Sequence, residues 1–250
     1  SKPLSKFIFG STNTQMDRNK FLKNALVIGS ASALSLNQFT ISALVQPKSK
    51  KPFQTKKRIT LKEAGPMIPP VPAVLLTVKG ENDIKDEISV AWTFVVNGKP
   101  PQIGISVEDV HVSLGFLKKH KEFVLNVPTA AIIKEFDKVD MNSTKTGDKF
   151  AFSRLTRGKA TIVEAPTINE APIQLECKVI KEIDIPPIRT IFIADVVATR
   201  VLEGTCDVNG RLIVDAIDFF GMTAGSGEFY TMGEKVGHIG KSVGRSDIKY

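Results

Sequence analysis

From Glu87 to Val96 the chain alternates with a period of two. Ile88, Val90, Trp92, Phe94 and Val96 fall on one phase, and Ser89, Ala91, Thr93 and Val95 on the other. Successive strand side chains point to opposite faces, so this run predicts a strand with one bulky apolar face and one small, hydroxyl-bearing face. On the small face a flat ligand could reach the strand backbone. The same period returns in Ala73–Val78, Gln102–Val107 and Phe123–Val127, and strands are also expected at Thr161–Val163, Ile173–Ile183, Arg189–Leu202 and Arg211–Ile217. Between Val110 and Lys121 the period changes, placing Val112, Phe116 and Leu117 on one helical face; Ala130–Val139 and Asp148–Leu155 read as two further short helices. Asp109 is read as the cap of the first helix. Many strands, few short helices and frequent turns make a mainly β protein, an antiparallel barrel with appended helices.

The net charge of +8 is unevenly placed. Residues 1–62 hold twelve Lys and Arg against the single acid Asp17, whereas beyond them 25 acids face 22 bases. A nucleic-acid-binding domain carries its basic excess on the folded part, so nucleic acid is excluded as the expected partner. The basic part reads as a leader. Arg18 to Lys23 forms a basic stretch, followed by a short weakly hydrophobic run from Ala25 to Leu36, in the order of an export signal. Arg18-Asn-Lys-Phe-Leu-Lys23 resembles the twin-arginine signal, with Asn19 in place of the second arginine. Met16 is expected as the start and residues 1–15 as an upstream extension. Export to the periplasm follows from this reading; an N-terminal arm packed on a cytoplasmic domain is the alternative. Residues 1–60 are thus a leader with a basic linker, and 61–250 the domain.

Cys177 lies on the apolar phase of its strand with Leu175 and Val179 and reads as a small buried hydrophobe, while Cys206 precedes a turn signal. The cysteines and the three histidines have no metal-ligand spacing. There is no Gly-x-Gly-x-x-Gly, and Gly240-Lys-Ser242 lacks the earlier glycine of a phosphate loop.

Several pieces recur in a recognisable order: Val71 to Thr77, Ser89 to Thr93, Pro100 to Ser106, Glu122 to Pro128, Asp148-Lys-Phe150, Ala165-Pro166, Leu175 to Cys177, Thr190 to Val196 and Tyr230 to Glu234. In that order and spacing the chain resembles the flavin reductase-like family, whose fold is the FMN-binding split β-barrel. The resemblance implies FMN as cofactor, NAD(P)H as co-substrate, and a homodimer with the flavin near the subunit interface. It places Ser89, Val90, Ala91, Trp92 and Thr93 along the isoalloxazine, with Asp86 where the family has an amide side chain. Ser106, His111 and Ser113 match positions approaching the phosphate. A helix beginning near Val110 would offer free N–H groups to that anion. Glu108 and Asp109 stand where the family commonly has a basic residue, and Lys149 is the expected compensating charge.

Arg189 replaces a histidine found in many relatives beside the flavin and nicotinamide, and is the candidate catalytic residue. It cannot shuttle protons, but it can hold a phosphate or the negative charge of reduced flavin; a salt-bridged rim residue is the other reading. Phe220 and Phe229 read as core packing rather than as a cover for the ring. The expectation is an FMN-dependent oxidoreductase passing hydride from NAD(P)H to free flavin, ferric complexes or a redox partner protein. An FMN electron carrier without nicotinamide activity, and a split barrel that has lost flavin and serves as a binding module, are the alternatives.

Overall fold

The computed structural model describes residues 57–81, 86–142 and 148–245. The leader lies almost entirely outside the described residues. In chain order, β1 is Val71–Pro72, β2 Val74–Val78, β3 Glu87–Gly98, β4 Pro101–Glu108, α1 Val112–His120, β5 Glu122–Val127, α2 Ile133–Met141 and α3 Lys149–Ser153. These are followed by β6 Arg157–Gly158, β7 Thr167–Ile168, β8 Ile173–Ile185, β9 Arg189–Val201, β10 Phe220–Met222 and β11 Phe229–Thr231.

Six of these strands close into a barrel in the order β2-β3-β4-β9-β8-β5, every neighbour antiparallel. Register follows from alternation, since a slip of one residue would turn each apolar set outward. Inside lie Val74, Leu76 and Val78 of β2, Ile103, Ile105 and Val107 of β4, Phe123 and Leu125 of β5, Cys177 of β8, and Phe192 and Ala194 of β9. Phe116 and Leu117 of α1 join this interior. A second apolar layer covers the other face of β2 and β3, where Leu75 and Ile88 pack with Phe136, Phe150 and Phe220. Phe136, Phe220 and Phe229 meet edge to face at centroid distances of 5.3, 5.6 and 5.7 Å, so Phe220 and Phe229 are core side chains. Cys177 is fully buried, and burial pushes its thiol pKa up, leaving it inert at neutral pH.

The structure departs from the sequence reading at four places. Helix α1 begins at Val112, with His111 at its N-cap and no side chain capping it. Asp109 does not cap it; its amide instead donates to the Ile188 carbonyl at 2.9 Å. Residues 130–139 divide into a 3-10 turn, Ala130–Ile132, and α2. Thr161–Val163 is not a strand, because its amides turn to a carboxylate: Thr161, Ile162 and Val163 N–H all donate to the side chain of Glu176. Nor is Arg211–Ile217, whose start is bent round Asp207 and whose end is the 3-10 turn Val214–Ala216. The expected α3 is present, capped by the Asp148 carboxylate, which accepts from Phe150 N–H at 3.0 Å.

Candidate functional site

Strand β3 changes partners halfway. It pairs with β2 over Glu87–Ala91 and with β4 only from Trp92 to Gly98. Among the described residues no strand pairs with the β4-side edge of Ile88–Ala91, and the barrel is split there. The face of β3 is also the reverse of the expected one. Ser89 pairs with Leu76, and Ala91 with Val74, so the small residues point into the barrel and are closed off. The reason is the helix beneath: the hydroxyls of Ser89 and Ser113 meet at 2.7 Å, both buried, and a larger residue at 89 would push α1 away. The accessible part of this strand is its outer face, where Trp92 and Phe94 remain 39% and 45% exposed.

Charged side chains gather at the same end. Lys149, the first residue of α3, is buried and donates from Nζ to the Val139 carbonyl at 3.2 Å. Burial lowers its pKa, against the pull of the Glu87 and Asp140 carboxylates. Burial likewise lowers the pKa of His111, helped by the Lys149 charge and opposed by Glu108 and Asp140; the charge of Arg189 also reaches the ring. These groups share one electrostatic neighbourhood. Above them the first turn of α1 has no side-chain cap, and Leu114 N–H donates to the His111 carbonyl at 3.1 Å. An uncapped helix N-terminus beside a buried ammonium suits an anion.

Arg189 opposes Glu108 across the β4–β9 ladder. Its guanidinium lies 4.2 Å from the centroid of the Trp92 ring, reaches the Ser106 carbonyl at 3.5 Å and forms an ion pair with Glu108. It is salt-bridged at the rim of the split.

The remaining singled-out residues are dispersed around this centre. Val90 is half-buried beneath α2, among the second apolar layer. Thr93 donates to the Gly104 carbonyl at 3.0 Å. Asp86 accepts from Gly80 N–H at 2.9 Å and lies 3.6 Å from Arg157, so its carboxylate ties both to the start of β3. Ser113, expected at the anion, is buried with its hydroxyl hydrogen-bonded to that of Ser89. A cleft of about 340 Å³ elsewhere, lined by residues such as Thr129, Leu202, Thr205 and Ile217, contains none of the singled-out residues.

A closed barrel split at one strand, with three short helices at the gap, is the architecture of flavin-binding split barrels. The model for the "Flavin reductase like domain" matches residues 69–211, more than half of the chain. The chain belongs to the flavin reductase-like family. Among solved structures it is similar to flavoredoxin of Desulfovibrio vulgaris (Miyazaki F), at 24% identity and a TM-score of 0.67, covering 73% of this chain and 97% of that one. It is equally similar to flavoredoxin from Methanosarcina acetivorans, at 23% identity and a TM-score of 0.67, covering 75% and 100%. At these identities the likeness is one of fold. A protein of Archaeoglobus fulgidus is 25% identical over 129 residues, half of this chain and 72% of its own length. Membership makes the protein a flavin-binding split barrel of oxidoreductase kind.

Two residues of the site escaped the sequence reading. Arg157 lies 4.1 Å from the centroid of the Phe150 ring and pairs with Asp148 at 2.9 Å and Asp86 at 3.6 Å, tying α3 to the entry of β3. Asp140, at the end of α2, acts on both Lys149 and His111. Neither stands in a motif; only the packing of α2 and α3 against β3 brings them there.

Proposed function

We propose that the protein is an FMN-dependent oxidoreductase that takes hydride from NAD(P)H and passes electrons to free flavin, ferric complexes or a protein acceptor. The observation that carries it is the split at Ala91–Trp92, where an unpaired strand edge, an uncapped helix N-terminus and the buried Lys149 converge. These residues fit the cofactor. The backbone of Ser89, Val90 and Ala91 would take the polar edge of the ring, and Trp92 would offer apolar surface. The N–H groups of α1, with His111 and Lys149, would hold the phosphate. When bound, FMN supplies two-electron hydride chemistry, which needs no general base from the chain. Arg189 would stabilise negative charge at the rim. The far half of β3, with Trp92, Phe94, Val95 and Val96 exposed, is the surface we assign to a homodimer contact, since so many exposed large apolar groups on one strand are unusual for a lone subunit. Residues 1–60 would act as an export leader, which N-terminal sequencing of the envelope fraction tests.

The first experiment is the visible absorption spectrum of purified protein with added FMN, before and after anaerobic NADPH or NADH. A bound-flavin spectrum that bleaches quickly supports the reductase; no bound flavin overturns it. An FMN electron carrier is the second reading, favoured because Arg189, in the position where relatives have a histidine, is already ion-paired with Glu108. A bound flavin unmoved by either nucleotide would select it.

A further inference from the structure

The Arg189 guanidinium is held in a way that leaves one exchangeable side. Its Cζ lies over the Trp92 ring, 4.2 Å from the centroid, a cation–π contact that holds the head group. Nη1 only brushes the Ser106 carbonyl, at 3.5 Å. Nη2 is paired with Glu108, its cross-strand neighbour. An arginine fork binds phosphate through Nη2 together with Nη1 or Nε, so an incoming phosphate and Glu108 compete for Nη2. The pair is solvent-accessible, with the side chains of Arg189 and Glu108 22% and 31% exposed. Ion pairs of this kind are weak and screened by salt. Trading the partner leaves the Trp92 stack in place.

We propose that Glu108 is an internal competitor for anions at Arg189. Its carboxylate occupies the guanidinium edge until a phosphate-bearing second ligand displaces it, and so Glu108 sets how tightly such a ligand is held. Glu108 touches no cofactor in this account; it acts through Arg189 as a positioning residue. The inference deepens the proposed function by naming the group that would meet the phosphates of a nucleotide donor, and rests on that reading for its consequence. The exchange itself requires no flavin.

Trp92 is the only tryptophan in the chain, so its emission reports the stack directly. The test titrates the full-length protein with inorganic pyrophosphate at constant ionic strength and follows Trp92 fluorescence. In the wild type the response should half-saturate at a high concentration. In Glu108→Gln the half-saturation point should fall at least tenfold, and in Arg189→Gln the saturable response should vanish. Equal half-saturation in wild type and Glu108→Gln overturns the proposal, as does a wild-type response in Arg189→Gln. Should Glu108→Gln fail to fold, Glu108→Asp carries the same test: its shorter carboxylate must lower the half-saturation point, and an unchanged value overturns the proposal. Flavin binding is read separately from visible absorbance, so a protein that ignores FMN yet shows the exchange refutes the proposed function and leaves this inference standing.

Discussion

Two buried charges on opposite sides of the barrel are treated in opposite ways. On the β5–β8 side, Glu176 is fully buried and its carboxylate collects the amides of Thr161, Ile162 and Val163 together with the Thr161 hydroxyl. Burial alone would raise its pKa, but these hydrogen bonds outweigh it and the pKa is lowered. At the split, Lys149 is almost as deeply buried, yet among the described residues its hydrogen bond goes to a single helix carbonyl, and burial lowers its pKa. The fold favours the charge of Glu176 and merely tolerates the charge of Lys149. A charge that the fold surrounds with donors is there for the fold. A charge held against its own solvation, beside an uncapped helix end, is the one the proposed function assigns to a phosphate.

Substituting Glu176 tests the first half and should have the largest effect. Glu176→Gln keeps the shape but replaces one acceptor oxygen with an NH₂ group facing backbone donors, at a cost of about 3 kcal/mol in stability measured by urea unfolding. The sign of the pH dependence follows from the lowered pKa. The stability due to Glu176 is present above the ordinary carboxylate value and is lost as pH falls through the lower native one. Wild-type and variant stabilities should therefore converge on acidification. A variant as stable as the wild type at neutral pH would mean that the loop over 159–165 holds itself.

Removing the other charge should reverse the pattern. In Lys149→Met, unfolding stability without flavin should change by less than about 1 kcal/mol, or rise, because a desolvated charge is replaced by an apolar chain. The dissociation constant for FMN should increase about tenfold or more with loss of a charge-assisted phosphate contact. Fluorescence titration of FMN, paired with urea unfolding of the same sample, measures both. A stability loss as large as that of Glu176→Gln would erase the distinction between the two sites.

This contrast also explains what the sequence made legible. The barrel strands show in the alternation of Val74, Leu76 and Val78 or Ile103, Ile105 and Val107, since two-residue periodicity is the direct imprint of a packed face. The orientation of β3 was misread because size stood in for burial: Ser89 and Ala91 are small to admit α1, not to admit a ligand. The segment Thr161–Val163 looked like a strand because it is apolar, and only the distant Glu176 reveals that its amides need no neighbouring strand. The pairing of Glu108 with Arg189 depends on the β4–β9 register, which joins positions 81 residues apart. Motif order identified Lys149 and His111, but Asp140 reaches them, and Arg157 reaches Asp86, only through tertiary packing.

The smallest effect separates the two sides most finely, through a pair of glycines. A Cβ on Gly104 would come within 3.0 Å of the Phe94 ring, and a Cβ on Gly158 within 3.0 Å of Thr167 Oγ1 and Asn169 Oδ1. The collisions are alike but the neighbours are not. Phe94 is 45% exposed and can swing outward, whereas Thr167 is buried in the β6–β7 pair. Gly158→Ala should thus cost about 2 kcal/mol in unfolding stability, and Gly104→Ala less than about 1 kcal/mol. If the far half of β3 is the subunit contact, the displaced ring in Gly104→Ala must be felt elsewhere. Sedimentation velocity over a concentration series should show weakened self-association at nearly unchanged thermal stability. An unaltered association constant in that variant would remove Phe94 from the contact and leave it to Val95 and Val96, which are 80% and 40% exposed.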